Sequence, residues 1–224
     1  MKAKTIVLVL VAAAVVAALG YWGYGAYKTR ELRGAVGAVL NDAGARLREA
    51  LGVETGPPPE DRAVVVKKLE SHAAAVDEAI ARLKRLPGQR DRALTDDADG
   101  YLVHVREILR RQAAMHRSYQ LHVASLRALK DHMRADNRSG AWVSGAVTGK
   151  DKADRDFRDY RLASTTYVVL LEGLPAAEKK VERAIGREAL AAPEQLAKAR
   201  GNVLAATKAA TAEMEAARRL VGPR

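Results

Sequence analysis

Apolar residues recur along this chain at steps of three and four almost without interruption, and no stretch shows the strict alternation of a half-buried strand, so the pattern predicts an all-α protein. The first soluble stripe is Leu32, Val36, Val39, Ala43, Leu47 and Ala50, which "GVETGPPP" ends. A second helix is expected from Pro59, with Glu60 and Asp61 in its first turn, along a seam of Val66, Leu69, Ala73, Val76, Ile80 and Leu83 to "LPGQ". The third keeps heptad register over the 40 residues from Leu94 to Met133, a rod of ~60 Å at ~1.5 Å per residue.

Residues 136–153 are rich in Gly and Ser and read as a distal loop, with Thr148 and Asp151 spaced as a capping box for the fourth helix. That helix carries Phe157, Tyr160, Ser164, Tyr167, Leu171 and Leu174. A break or kink is expected at "EGLP" before the pattern resumes through Val181 and Ile185. A fifth opens at Pro193 with a seam of small residues. The connections after the first, second and fourth segments are short, which implies antiparallel neighbours and an elongated antiparallel bundle of four or five helices with coiled-coil heptad packing. An intramolecular bundle and a dimer use the same heptads, so the oligomeric state stays open.

The N-terminus carries a different signal. After Lys2 and Lys4 the chain is uncharged from Thr5 to Tyr27, 23 residues, close to the ~20 that cross a hydrocarbon core as helix. Tyr21, Trp22, Tyr24 and Tyr27 then form an aromatic cluster of the kind that sits at a membrane interface, followed by Lys28. Residues 1–27 are expected to be an uncleaved signal anchor, a single transmembrane helix, and residues 28–224 the bundle domain. "MKAK" followed at once by the apolar run is the order of exported proteins, which places the domain in the periplasm, on the outer side of the cytoplasmic membrane. The positive residues on the two sides of the segment nearly balance, so a cytoplasm-facing domain is the topological alternative.

Composition narrows the chemistry. With no Cys, disulfides, thiolate metal sites and cysteine nucleophiles are excluded. Apolar content of 48% rests on Ala, Leu and Val, with aromatic residues at only 4%, which argues against a large aromatic-lined pocket. Two of the 38 basic residues precede the apolar run, so the formal charge of +11 falls to +9 from Lys28 onward. Such a surface suits an anionic partner, lipid or polysaccharide. Arg106, Arg110, Arg111, Arg117, Arg127, Lys130 and Arg134 crowd the third helix, but no nucleic-acid motif accompanies them.

Catalysis is not expected: the chain has no usable phosphate loop, nucleophile elbow, carboxylate pair or Ser/His/Asp arrangement. "GAVTGKD" lacks the first glycine of a phosphate loop. The five histidines do not form the Glu-x-x-His repeats of a di-metal bundle, so neither metal nor cofactor is expected. The unusual feature is polar residues in core positions of the third helix: Gln112, Tyr119 and His122. They fix register and partner choice, or with Ser164 and Tyr167 they line a small ligand cavity in mid-bundle. Trp142, with Val143, either plugs the far end of the bundle or anchors a protein partner there.

An anchor followed by a helical bundle resembles the periplasmic sensory module of chemoreceptors. A stand-alone sensor of that kind implies a separate signalling partner.

Overall fold

The computed structural model describes residues 2–56, 61–86, 91–135 and 139–221, with side chains from Tyr27 onward. The described residues form five α-helices: α1 (Lys2–Thr55), α2 (Arg62–Arg85), α3 (Arg92–Arg134), α4 (Gly140–Val181) and α5 (Pro193–Leu220). A 3₁₀ turn (Arg187–Ala189) lies between the last two. The all-α bundle expected from the periodicity is therefore present. Its core is the set of heptad seams, from Leu32, Val36 and Leu47 through Leu69, Val76, Val105 and Ile108 to Tyr167, Leu174 and Met214.

The bundle is staggered. α1 and α2 form a hairpin that ends near Glu54 and Arg62, level with the middle of α3, where His116 touches both residues. Beyond that level α3 and α4 continue without the hairpin, and α5 joins them: Lys130 pairs with Glu213 at 3.4 Å and Arg218 with Asp154 at 2.7 Å. One half of the bundle is thus built from α1 to α4 with the first turns of α5, and the other from α3, α4 and the rest of α5.

Chain segment 182–192 carries the polypeptide from the end of α4 back along α1. Gly186 N donates to Asn41 Oδ1 (2.7 Å), and Gln195 Nε2 at the start of α5 donates to Arg48 O (3.1 Å). The buried Glu178 accepts from Ala191 N at 2.8 Å and holds the end of this crossing. Burial raises the Glu178 carboxyl above its ordinary range, and the bond from Ala191 offsets that only in part. A carboxyl that keeps its proton longer when folded loses stability as pH rises through the window above its unfolded value. Glu178→Gln should therefore raise the melting temperature at pH 7 and leave it unchanged near pH 4, as differential scanning fluorimetry would read.

Three expectations are corrected. Residues 136–153 are not one loop: α4 starts at Gly140, and its N-cap is Ser139, whose Oγ accepts from Trp142 N at 3.1 Å. Thr148 and Asp151 lie inside the helix and cap nothing. One of its glycines serves close packing, since a Cβ on Gly145 would stand 2.7 Å from His132 Cε1. The "EGLP" break is also absent, because α4 runs through Pro175 to Val181. A proline there leaves the Leu171 carbonyl without its helical donor. One residue earlier, His104 Nε2 donates to Leu170 O (2.9 Å), with the His104 ring fitted against Gly173. Finally, Asp61 is not in the first turn of α2 but is its N-cap, accepting from Ala63 N at 2.7 Å.

Among the described residues no helix is long and apolar enough to cross a membrane. The side chains of the apolar run up to residue 26, those of Tyr21, Trp22 and Tyr24 among them, lie outside the described residues. Tyr27 is exposed, and Lys28 pairs with Glu31 at 2.9 Å while its Nζ stands 6.0 Å from the Tyr27 ring.

Candidate functional site

The polar residues of the α3 seam sit where the bundle changes its number of helices. At the end of the α1–α2 hairpin the Glu54 side chain and the Ala50 carbonyl of α1 meet α3, and the Glu54 carbonyl has no further turn of helix to satisfy it. Gln112, fully buried, donates from Nε2 to Ala50 O (2.9 Å) and to Glu54 Oε1 (3.0 Å). Asn202 of α5 donates to Glu54 O at 2.7 Å. His116, one turn beyond Gln112, reaches Glu54 Oε1 with Nε2 (2.7 Å), while Arg62 Nη1 stands 2.8 Å from His116 Nδ1.

This geometry assigns the His116 proton. A guanidinium can only donate, so Nδ1 accepts, and the ring hydrogen sits on Nε2 facing the carboxylate. Burial by itself would raise the Glu54 carboxyl. The bonds from His116 and Gln112, with the charge of Arg62, outweigh that and hold it below the ordinary carboxylate range. Arg62 then turns its other face to Tyr119, with its guanidinium carbon 4.1 Å from the ring centroid. Arg62 thereby couples the Gln112 level of the seam to the Tyr119 level.

Above Arg62 the seam becomes aromatic. Tyr119 meets Tyr160 edge-on (centroids 5.1 Å), and His122 packs against Phe157 at 5.1 Å and lies parallel to Tyr160 at 6.1 Å. His122 is 1% exposed. Burial lowers its pKa, against a smaller opposing effect of Glu213 and Asp156, which leaves the ring neutral at pH 7. Its Nδ1 has no protein partner. Ser164 spends its hydroxyl proton on its own helix, donating to Tyr160 O at 2.9 Å. Tyr167 is fully buried on α4, and burial raises its hydroxyl well above the ordinary range, with the Glu54 charge adding to it. The Tyr167 hydroxyl and Gln112 Oε1 meet no protein partner either.

The five residues expected to act together thus fall into two groups. Gln112 and Tyr167 lie toward Glu54, while Tyr119, His122 and Ser164 cluster around Tyr160. Glu54, Arg62, His116 and Asn202 complete the arrangement and do not stand out in the sequence. One signal was available: Gln112 and His116 are one helical turn apart and share a face.

A groove of about 390 Å³ opens beside the aromatic cluster, between α3 and α5. Tyr119 and His122 form part of its wall, with Leu126 and the small side chains Ala206, Ala209 and Ala210, and Arg127, Lys130, Asp131, Arg134 and Glu213 stand around it. A second recess, about 610 Å³, lies on the hairpin side of Tyr119 and is lined by Asp61 and Arg62.

At the far turn, Trp142 is half-buried on the first turn of α4 while Val143 is exposed. Trp142 Nε1 donates to His132 O (3.0 Å), His132 Nε2 donates to Trp142 O (2.8 Å), and the rings stack at 5.6 Å. Trp142→Ala would remove all but one of these contacts and half a buried aromatic, which should cost about 2 kcal/mol and lower the melting temperature by roughly 4–8 °C. An unchanged melting temperature would return Trp142 to the role of a partner anchor.

Among the described residues, no group of three or more His, Cys, Asp or Glu side chains could hold a metal ion. The arrangement is one of buried hydrogen bonds, aromatic faces and a shallow cationic rim, suited to binding. No protein-family model, curated protein or solved structure is found to match the chain.

Proposed function

We propose that the chain is a single-pass membrane protein that holds a helical bundle on the periplasmic side of the cytoplasmic membrane and acts there by binding or scaffolding, not by catalysis. The observation that carries this reading is the course of α1, which runs as one helix from Lys2 to Thr55 and so joins the apolar N-terminal run to the bundle core without a hinge. A continuous helix transmits the orientation of one end to the other, as a stand for a binding head requires. The end farthest from that run presents apolar side chains to solvent: Val143 and Val147 are each half exposed or more. Such positions suit a protein partner. The basic balance of the bundle suits an anionic surface.

A reporter fused after Arg224 tests the topology. A periplasm-active phosphatase should be active and a cytoplasm-only fluorescent protein dark, with the full-length chain in the membrane fraction. A mature N-terminus at Tyr21, or the opposite reporter pattern, overturns this reading.

One observation favours a second reading, a ligand-sensing bundle that works with a separate signalling partner. That observation is the groove of about 390 Å³ between α3 and α5, with Tyr119 and Leu126 in its wall.

A further inference from the structure

We infer that the recess at the foot of the bundle, between α1, the start of α3 and the end of α4, binds the headgroup of an anionic phospholipid in the membrane from which α1 rises. The inference deepens the membrane-anchored reading of the chain and rests on it for the source of the lipid.

Position comes first. Arg33 of α1, in the wall of the recess, lies ~9 Å along the helix from Tyr27, where the uncharged run ends, at ~1.5 Å per residue. A headgroup layer is about 5–7 Å thick on each side of a bilayer, so the level of Arg33 stands just outside it. The field of an anionic surface falls off over ~8 Å at physiological ionic strength, and the long stems of lysine and arginine span what distance is left.

The walls suit a headgroup. The recess holds about 510 Å³, within the ~300–1,000 Å³ of small-molecule sites. Lys179 and Lys180 from the last turn of α4 and Arg183 just past it form one wall. Lys179 and Arg183, four residues apart around the end of α4, can hold one phosphate between them. Ala93, Leu94 and Ala184 add apolar surface, which fits the glycerol and first acyl carbons below that phosphate.

Free charge decides the sign. Arg33 is engaged by Asp91 at 3.3 Å. Lys179, Lys180 and Arg183 are exposed, and none makes an ion pair among the described residues. Arg30 on α1 and Arg92 at the start of α3 are likewise exposed and unpaired. Asp96, Asp97 and Glu182 are the unpaired carboxylates around them, so the foot of the bundle keeps a cationic balance. An anion binding there displaces no partner from the three wall cations, and each such cation near an anionic bilayer adds to the attraction.

The test uses the full-length chain in non-ionic dodecyl maltoside micelles. Ala93→Cys, at an exposed position in the recess wall, gives the chain its one thiol, and bimane attached there reports on the recess. The labelled chain is titrated with dioctanoyl phosphatidylglycerol, with dioctanoyl phosphatidylcholine and with sn-glycerol 3-phosphate. We expect a saturable change with phosphatidylglycerol, half-saturated at a concentration at least fivefold below that for phosphatidylcholine, and no response to glycerol phosphate in the same range. Lys179→Gln, Lys180→Gln and Arg183→Gln together should raise the half-saturation point at least tenfold and leave the thermal melt unchanged. Native mass spectrometry of the unlabelled chain should show the same lipid preference as retained phosphatidylglycerol. Equal responses to the two lipids, no response to either, or a response that survives the triple substitution would overturn the site. Glycerol phosphate bound as tightly as the lipid would overturn the lipid as its occupant. Anchoring is read separately, as resistance of the full-length chain to alkaline carbonate extraction from membranes. Extraction with the lipid response intact strikes the anchored reading and keeps the site, whereas retention with the response lost strikes the site and keeps the anchor.

Discussion

Glu54→Leu should lower the melting temperature by roughly 10 °C, because it strips the acceptor from two buried donors and the counter-charge from Arg62 in one change. Gln112 Nε2 would keep only Ala50 O, and the His116 Nε2–H would face a leucine. Removing one partner of a buried charged network costs about 3–5 kcal/mol, against about 0–1 kcal/mol for an exposed ion pair such as Lys28–Glu31. For a chain of this length each 1 kcal/mol is worth roughly 2–4 °C. Replacing both partners is a different matter: Glu54→Leu with His116→Leu should recover part of the loss, since no orphaned imidazole remains.

The same network has a pH signature. The Glu54 carboxyl is held below its ordinary range when folded, so its contribution is present above the unfolded value of ~4.3 and is lost as pH falls through the folded one. The wild type should thus lose more stability than Glu54→Leu between pH 5 and strongly acidic solution, in roughly that order of steepness. Equal pH slopes for the two would show that Glu54 carries no differential charge interaction.

How much of this was legible in the sequence follows from the range of the interactions involved. The heptad seams are local, and the residues they nominate, among them Leu47, Val76, Ile108 and Leu171, are buried. That Gln112 and His122 occupy core positions is likewise a matter of spacing on one helix. What they bind is not: Glu54 is 58 residues from Gln112 and Arg62 is 54 residues from His116. Those pairings depend on where the α1–α2 hairpin stops against α3, and no periodicity on α3 encodes the length of another hairpin. The start of α4 misled for the opposite reason. Its glycines and serines signal a loop by composition, but Ser139 caps the helix and Gly145 leaves room for the His132 ring. Pro175 reads as a breaker, yet a lone proline costs one helical bond and the packed sides of α4 outweigh it.

Glycines decide the second large effect, which concerns the track on which segment 182–192 crosses α1. Gly37, Asn41, Gly44 and Arg48 follow one another at steps of four, three and four, a single stripe of the helix. A Cβ on Gly37 would stand 2.6 Å from Ala184 O, and one on Gly44 would press on the Ala189 carbonyl oxygen and on Ala189 Cβ, at 3.1 Å from the latter. Backbone meets backbone there, so no side chain can rotate away. Substituting glycine in mid-helix by a better helix former gains about 0.5–1 kcal/mol where space is free. Gly34 and Gly100 have that freedom, with nothing within 4 Å of an added Cβ. Gly34→Ala should therefore raise the melting temperature by roughly 1–4 °C. Gly44→Leu carries the same propensity gain but must push segment 182–192 off the helix, at a cost of about 3 kcal/mol or more, the upper end of overpacking penalties. The melting temperature should fall by roughly 6–12 °C. Hydrogen exchange would locate the damage, with the amides of Gly186 and Ala191 losing protection as their bonds to Asn41 and Glu178 loosen. If Gly44→Leu melts like the wild type and both amides stay protected, the crossing does not depend on close approach at this stripe.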